Sequence, residues 1–307
     1  MNRFYGNAAL TRQRAYVAAY TVGGSLIVIL QRFLTFSYDS LTINACRFLA
    51  GALTLLVIVI AFRRAALAQV LRRPAQLRNI AILSLLGFAP QALVVEGIAR
   101  VPAVIASLIG LLGLPLSIGL AVAIFPDERR AVKGAGFVIG SALALGATIG
   151  LTLSQQDSTI EYSTGVVYML LATLIGVLSV LLTKRLVITS DPLCVSSLNT
   201  GISSALFFVA ALIWGNLSSV ASAPLANTLV LFGSGAYGLL IGGALYMVIV
   251  RQAGIVIARF ADLAMPVFTG LFGMILFHEM LGPAQMAFGA ALLLGCGLIL
   301  FQRGSTA

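Results

Sequence analysis

The sequence predicts an all-α polytopic membrane protein with ten transmembrane helices. These are arranged as two inverted five-helix repeats (5+5), with both termini in the cytoplasm. Three observations lead to this fold class. Long apolar stretches cover most of the 307 residues, the basic residues gather in alternate connecting segments, and part of the first half of the chain recurs in the second.

The composition is that of a chain whose solvent is lipid. Hydrophobic residues make up 60% of the sequence, charged residues only 9%, and the mean hydropathy is +1.06. Soluble domains contain roughly 25% charged residues. A membrane-spanning helix needs about 20 mostly apolar residues, and ten stretches meet that length. They cover residues 15–34, 40–62, 78–98, 102–124, 133–153, 163–186, 191–214, 227–250, 254–277 and 282–302.

The basic residues set the predicted orientation. If the amino terminus is cytoplasmic, fifteen of the 19 basic residues fall in cytoplasmic segments. The opposite side holds only Arg32 and Arg100, both at span ends, while Arg47 and Arg259 lie within spans. This positive-inside bias predicts a multi-pass protein of the inner (cytoplasmic) membrane. The net charge of +10 is thereby explained by orientation and by anionic lipid headgroups, so no nucleic-acid partner is predicted.

The first span is predicted to be a retained helix, and the cysteines are predicted to be packing residues. Met1 to Arg14 are polar and basic, with no small-residue cleavage site after a short apolar run. Cys46, Cys194 and Cys296 all lie within apolar spans and lack the spacing of metal ligands. We therefore predict no metal site and no cofactor.

The chain contains an internal repeat. Shifting the sequence by 151 residues produces seven identities in 29 positions, where about two or three would be expected between apolar helices of ordinary composition. The matches are Arg100 with Arg251, Leu112 with Leu263, Pro115 with Pro266, Gly119 with Gly270, Leu120 with Leu271, Ile124 with Ile275 and Glu128 with Glu279. The proline and glutamate matches carry the most weight, because these residues are uncommon in spans.

Five spans per half is an odd number, so the second copy must enter the membrane from the opposite face. We predict a first repeat over 1–152, an external linker over 153–162 and a second, inverted repeat over 163–307. The linker is polar and carries no basic residue, as expected of an external loop. Inverted repeats are the recurrent architecture of secondary transporters, whose substrate site lies near the midplane between the halves.

Several short motifs then resemble a known family. The first motif is Asn44–Leu49, with Arg47 near the start of the second span. The fourth span carries Arg100–Ala103, Leu114–Leu116 and Asp127–Glu128. The ninth span repeats this pattern as Met265–Val267 and His278–Glu279, and a glycine-rich last helix follows. Proline and glutamate lie 13 residues apart in both halves. The pattern resembles the EamA-type branch of the drug/metabolite transporter superfamily over almost the whole chain. Pro126 departs from the usual leucine-rich approach to the acid, which suggests a local kink.

The resemblance implies a ten-helix carrier of small metabolites, often amino acids or their derivatives moving outward. It also implies a central cavity lined by helices one, three and four of one half and six, eight and nine of the other. The substrate itself does not follow from the resemblance, because this branch is chemically diverse.

Arg259 and Asp262 are the first candidate substrate-binding residues. An ionisable side chain at lipid depth is costly and usually faces a cavity or a partner. The two residues are three apart on the ninth span and therefore share a helix face. Two interpretations stay open: contact with substrate or a coupling proton, and a structural pair. Arg259 is close enough to the cytoplasmic end that it could instead extend toward the headgroups.

Glu96, near the external end of the third span, is the next candidate. It either lines the outer cavity and accepts protons or is an interfacial acid that reaches headgroup water. Arg47 starts from the same side of the membrane, so an Arg47–Glu96 pair is geometrically allowed. Since Arg47 matches a family position, we favour a structural role for it.

Two tyrosines complete the substrate-binding candidates, Tyr168 on the sixth span and Tyr237 on the eighth. Tyrosine prefers the membrane interface, yet Tyr237 lies near the middle of its span. Five glycines surround it, at positions 233, 235, 238, 242 and 243. This combination suggests a cavity wall, with ordinary packing as the alternative.

Other positions are predicted to shape the structure. Pro115 and Pro266 lie near the middle of spans four and nine, where a proline removes a backbone hydrogen bond and bends the helix. Glu128 and Glu279 follow at the ends of those spans and are predicted to bond helix-terminal or loop amides. Two G-x-x-x-G spacings on the fifth span permit a close helix contact, either within the chain or with a second protomer. Monomer and homodimer therefore both stay open.

These features predict a secondary transporter that moves a small organic molecule across the lipid bilayer, with export and proton coupling both consistent with them. A channel or facilitator is the alternative. A membrane-embedded enzyme is less expected, because the single histidine, His278, cannot build an H-E-x-x-H zinc site or a Ser–His pair at lipid depth. No catalytic residues are predicted, and no nucleotide-binding loop of the G-x-x-x-x-G-K-[ST] type is present.

Overall fold

The structure, a computed structural model, describes residues 2–124, 135–153 and 160–301. All regular structure within these ranges is helical. The helices are α1 (Asn2–Leu34), α2 (Ser40–Phe62), α3 (Arg64–Leu71), α4 (Pro74–Arg100), α5 (Ala103–Gly110), α6 (Gly113–Ile124), α7 (Ala135–Leu153), α8 (Ile160–Thr189), α9 (Pro192–Trp214), α10 (Ser219–Ser222), α11 (Leu225–Gly238), α12 (Tyr246–Phe277) and α13 (Pro283–Phe301). A π-helical stretch, Leu239–Leu245, joins α11 to α12 and is called the π segment below.

The helices confirm an all-helical polytopic membrane protein. Seven helical stretches in the described ranges are long and apolar enough to cross a bilayer: Ala15–Leu34, Ser40–Phe62, Pro74–Arg100, Ala103–Leu120, Ile160–Thr189, Pro192–Trp214 and Leu225–Gln252. Three shorter apolar helices, Val138–Gly150, Ala261–Phe277 and Pro283–Leu298, fall on the remaining predicted spans. Residues 154–159 of the predicted linker lie outside the described residues.

The molecule presents apolar side chains outward. Val57, Phe62, Leu212 and Trp214 are each more than half exposed. A protein in water rarely exposes apolar surface of this extent, so lipid is the surrounding that matches it.

The helical backbone is broken at two places, one near a proline and one at a glycine. The fourth span divides between α5 and α6 at Leu111 and Leu112, just before Pro115. Since Pro115 has no N–H, the Leu111 carbonyl lacks its usual donor, and it accepts instead from Leu114 N at 2.8 Å and from the Cys296 thiol at 4.0 Å. The helix is therefore broken at the residue whose carbonyl oxygen Pro115 cannot bond, Leu111.

The second break is at Gly254 in α12, where φ is 84° and ψ is 173°. This conformation is essentially restricted to glycine. It falls at the predicted boundary between spans eight and nine, and the helix then continues through Pro266. Gly254, rather than Pro266, is thus where the described backbone departs from helical geometry.

The helices pack as closely associated pairs. The principal ones are α4 with α8, α2 with α9, α7 with α13, and α1 with α12. In the α7–α13 pair, a Cβ added to Gly295 would lie 2.8 Å from the carbonyl oxygen of Gly140, one of the four glycines in the G-x-x-x-G spacings. That glycine of α7 is therefore in close contact with α13 of the same chain.

Candidate functional site

A cavity of about 330 Å³ lies between α1, α4, α5, α8, the π segment and α12. We call it the central cavity. Small-molecule pockets are commonly about 300 to 1,000 Å³ and largely apolar, with a few polar groups that orient the ligand. The apolar part of the wall includes Val28, Val94, Ile98, Met169, Val180 and Met265. The polar part is concentrated in Tyr20, Tyr246, Arg259 and Asp262.

Asp262 is the centre of this polar cluster. Its Oδ2 lies 2.8 Å from Arg259 Nη1, one turn earlier on α12. Its Oδ1 accepts a hydrogen bond of 3.0 Å from the hydroxyl of Tyr20 on α1. The ring of Tyr20 is 5.6 Å, centroid to centroid, from that of Tyr246. Both carboxylate oxygens are therefore bound, by groups from two helices.

Two donors in the same cluster have no such partner. The Arg259 Nε and the Tyr246 hydroxyl are buried and make no hydrogen bond to any described residue. Buried polar groups are normally paired, and leaving one unpaired costs about 1–3 kcal/mol. Since both side chains line the central cavity, these are donors that a bound solute can engage.

The cluster is held in place by contacts between α1 and α12. The hydroxyl of Thr21 lies 3.0 Å from the carbonyl oxygen of Ala261, and that of Ser25 lies 3.1 Å from the carbonyl oxygen of Met265. Gly24 leaves room for the same approach, since a Cβ there would lie 2.4 Å from Met265 Cε. Small hydroxyl and glycine residues on one face of α1 thus set its distance from α12.

Glu96 and Tyr168 lie outside the wall of the central cavity. The Glu96 carboxylate is bound by the Ser40 hydroxyl and by the Arg100 guanidinium, one turn along α4. That guanidinium stacks over the Tyr168 ring at 5.2 Å. Glu96 is therefore partnered by Arg100 rather than by Arg47, and the group joins α2, α4 and α8.

Tyr237 also lies outside the cavity wall. Its hydroxyl packs against α1 at Gly23, where an added Cβ would lie 2.7 Å from it. The two residues therefore bring α11 and α1 close together.

Glu279 ties three segments together. Its Oε1 lies 3.0 Å from Arg32 Nε on α1, and its Oε2 accepts from the Ala103 amide at the start of α5 at 2.9 Å. Arg32 also donates to the carbonyl oxygens of Ile98 and Ala99. The Glu279 carboxylate thus accepts a hydrogen bond from the Ala103 amide, which has no carbonyl partner within α5 because it lies in the first turn of that helix. Glu128, its equivalent in the first half, lies outside the described residues.

Tyr20 is a cavity-wall residue that was not among the candidates derived from the sequence. It is one tyrosine near the start of an ordinary apolar span, and nothing local marks its bond to Asp262, 242 positions away. The π segment reaches the wall through Gly242, one of the five glycines around Tyr237 that suggested a cavity wall. The π-helical conformation of this stretch was not predicted, although π-helical turns often occur at functional sites.

Metal ligation has no support in the described ranges, where no group of three or more His, Cys, Asp or Glu side chains comes together. The chemistry available in the central cavity is instead an ion pair, two phenol groups and an apolar wall. These groups offer a charge pair and hydrogen-bonding hydroxyls to a polar solute.

Comparison with known proteins gives three findings. Residues 163–301 match the EamA-like transporter family. An uncharacterized transporter of Haemophilus influenzae is 24% identical over 280 residues, covering 89% of this chain and 92% of the relative. A solved structure described as "Crystal structure of protein" has a TM-score of 0.63 at 19% identity, covering 94% of this chain and 99% of that one. At this identity the solved structure supports the fold alone.

The helical architecture and its apolar surface are those of an integral membrane protein. The second half of the chain, residues 163–301, matches the EamA-like transporter family, and the chain as a whole is similar to a transporter.

Proposed function

We propose that the protein is a transporter of the EamA type, within the drug/metabolite transporter superfamily. It moves a small organic metabolite, an amino acid, a derivative or a related compound, out of the cell by alternating access. The observation that carries the proposal is the central cavity, where helices of both halves meet around Asp262, Arg259, Tyr20 and Tyr246. Its volume of about 330 Å³ suits a solute of metabolite size.

The proposed mechanism rests on two inverted five-helix halves in the inner membrane, with both termini cytoplasmic. The helix pairing supports this arrangement. In the predicted repeat, α1 is equivalent to α8, α2 to α9, and α4 to α11 with the π segment. The α4–α8 contact then has an equivalent in the contact of α1 with α11 and the π segment. The α2–α11 contact likewise has an equivalent in the α9–α4 contact, and all of these pairs are in contact. Two equivalent halves allow two equivalent states, one open to each side. Mapping the two termini to opposite sides of the membrane would contradict this topology.

Asp262 and Arg259 are the proposed polar recognition groups, and a proton on Asp262 is the proposed coupling device. When Asp262 is ionised, its charge holds Arg259 at 2.8 Å. When it binds a proton, the attraction is lost and the guanidinium is free to bind the solute. Binding of proton and solute are then linked, because each changes the affinity for the other.

We propose a monomer as the working unit. A homodimer would need a face other than the one where Gly140 meets Gly295, since that face is used within the chain. A channel or facilitator is the alternative function and an enzyme the least supported. Neither the paired carboxylate nor the apolar wall supplies an activated nucleophile.

Counterflow in proteoliposomes tests the proposal. Vesicles loaded with one amino acid at a time are given a trace of the labelled compound outside, after a growth-protection screen has ranked amino acids, nucleosides and toxic metabolites. A carrier accumulates label transiently, whereas a channel does not. Asp262→Asn should reduce the rate at least about tenfold, because it removes one half of a buried ion pair.

The matched control is Glu161→Gln, the same chemical change at an exposed position at the start of α8. It should leave the rate unchanged. Equal rates in both variants would retire the role of Asp262, and uptake without counterflow would favour the channel.

A further inference from the structure

A second cavity of about 300 Å³ lies beside the central one, and we call it the Arg47 cavity. The two share Val94 and Gly242 in their walls. Unlike the central cavity, this one contains a single charged residue, a cation, and its other polar residues are neutral. Its polar wall includes Gln31, Arg47, Gln91, Ser196, Asn199 and Thr200.

Arg47 is a buried cation without a counter-charge. Its side chain is 2% exposed, and its Nε and Nη1 make no hydrogen bond within the described part of the chain. No ion pair involves Arg47 among those residues. Burying an unpaired charge is strongly unfavourable, so a cation in such a place usually has a partner that compensates it.

The neighbouring donors are unpaired as well. Nε2 of Gln31 on α1 and the hydroxyl of Ser196 on α9 are buried and have no partner among the described residues. Both side chains line the same cavity as Arg47. Donors from α1, α2 and α9 are therefore available around one space, which is the arrangement expected around a bound anion.

The guanidinium is fixed in position by α11. A Cβ added to Gly235 would lie 2.4 Å from the Arg47 carbonyl oxygen, and one added to Gly238 would lie 2.9 Å from Nη2. These glycines allow α11 to pack directly against both the backbone and the side chain of Arg47. A group held in this way binds a ligand without a large loss of side-chain entropy.

We propose that the Arg47 cavity binds the carboxylate of the transported solute. The planar fork of a guanidinium matches the two oxygens of a carboxylate, and such charge-assisted bonds are about twice as strong as neutral ones. A neutral solute would leave the buried charge uncompensated. The proposal rests on the proposed transport function and adds to it the chemical class of the substrate, a small carboxylate.

Binding is tested on the purified full-length protein in lipid nanodiscs, by thermal unfolding. The probes are propionate and benzoate, and the matched neutral compounds are propionamide and benzamide. A ligand that binds only the folded state raises the melting temperature with concentration. We expect the two carboxylates to do so and the amides to have no effect. Equal shifts with acid and amide would overturn the proposal.

Variants locate the site. Arg47→Gln should abolish the response to carboxylate, whereas Arg100→Gln, which removes an arginine outside the cavity, should keep it. Ser196→Ala and Gln31→Leu keep the charge but remove unpaired donors, so they should fold at least as well as the parent protein. Each should weaken carboxylate binding roughly tenfold, the effect of one hydrogen bond to a charged group. An undiminished response in these two variants would overturn the proposal even if Arg47→Gln does not fold.

The outcome is separable from that of the transport proposal. If carboxylates bind through Arg47 but no counterflow occurs, the site stands and the carrier mechanism fails. If counterflow occurs and Arg47→Gln binds carboxylates normally, the carrier stands and the site fails.

Discussion

Asp39 and Asp191 occupy equivalent positions at the starts of two antiparallel helices, and each links its own helix to the other. Asp39 caps α2 by accepting from the amides of Leu41 and Thr42, and Asp191 caps α9 by accepting from the amides of Leu193 and Cys194. Each then reaches the far end of the other helix. Asp39 Oδ2 accepts from the Asn216 amide at 3.0 Å, and Asp191 Oδ2 lies 3.8 Å from Arg63 Nε. The two aspartates are 152 residues apart, within one residue of the 151-residue offset of the internal repeat.

Because the two aspartates occupy equivalent positions, removing either side chain should lower the free energy of unfolding by a similar amount. Asp39→Ala and Asp191→Ala should each lower the free energy of unfolding by about 1–2 kcal/mol, the usual effect of losing a capping side chain. The measurement is unfolding of the purified protein in detergent. Glu161→Ala, an exposed acid, is the control and should change little; a loss confined to one of the two aspartates would contradict their equivalence.

Tyr20 should matter through its hydroxyl rather than its ring. Tyr20→Phe preserves the packing against Tyr246 but removes the 3.0 Å bond to Asp262. A hydrogen bond to a charged group contributes about 1.5–3 kcal/mol, so we expect a transport rate reduced at least about tenfold in proteoliposomes. Tyr16→Phe, one turn earlier on α1, should be silent. Equal rates in the two variants would remove Tyr20 from the site.

Gly254 should not tolerate a side chain. At φ 84° and ψ 173°, a non-glycine residue is disfavoured by about 1–3 kcal/mol. Gly254→Ala should therefore lower the melting temperature. Gly176→Ala, where an added Cβ meets nothing within 4 Å, should leave it unchanged or raise it, because alanine favours the helix. A neutral Gly254→Ala would show that α12 does not break there.

The packing of α7 against α13 should be disrupted by a side chain at Gly295 but not by one at Gly146. A Cβ on Gly295 would lie 2.8 Å from Gly140 O and 2.9 Å from Ala144 N, both of them backbone atoms, whereas one on Gly146 meets nothing within 4 Å. Gly295→Ala should destabilise the fold by about 1–3 kcal/mol, the usual effect of overpacking. Gly146→Ala should not. Thermal unfolding distinguishes them, and equal melting temperatures would contradict the close packing.

Hydropathy located the apolar stretches, because lipid forces every buried backbone group into local hydrogen bonds, but it did not reveal the break at Leu111 and Leu112 within the fourth span. The predicted span 40–62 coincides with α2, and the Arg259–Asp262 pair follows from spacing along one helix. Local spacing does not determine which side chains of distant helices meet. The sequence therefore did not indicate that Tyr20 binds Asp262, nor that Glu96 pairs with Arg100 on its own helix.

The sequence also said little about Arg47. A motif identified the position, but only the folded structure shows that no acid among the described residues compensates the charge. The same holds for the π segment, whose glycines suggested a cavity wall without indicating which cavity they line.

The most direct test of alternating access measures whether the central cavity opens to each side in turn. Ser107 lines this cavity, so a Ser107→Cys variant with the three native cysteines replaced is labelled with a membrane-impermeant maleimide in right-side-out and inside-out vesicles. Ser84→Cys, fully buried on α4, is the unlabelled control. We expect labelling of the Ser107→Cys variant from both sides, slowed by a transported solute. Labelling from one side only, with or without solute, would contradict alternating access.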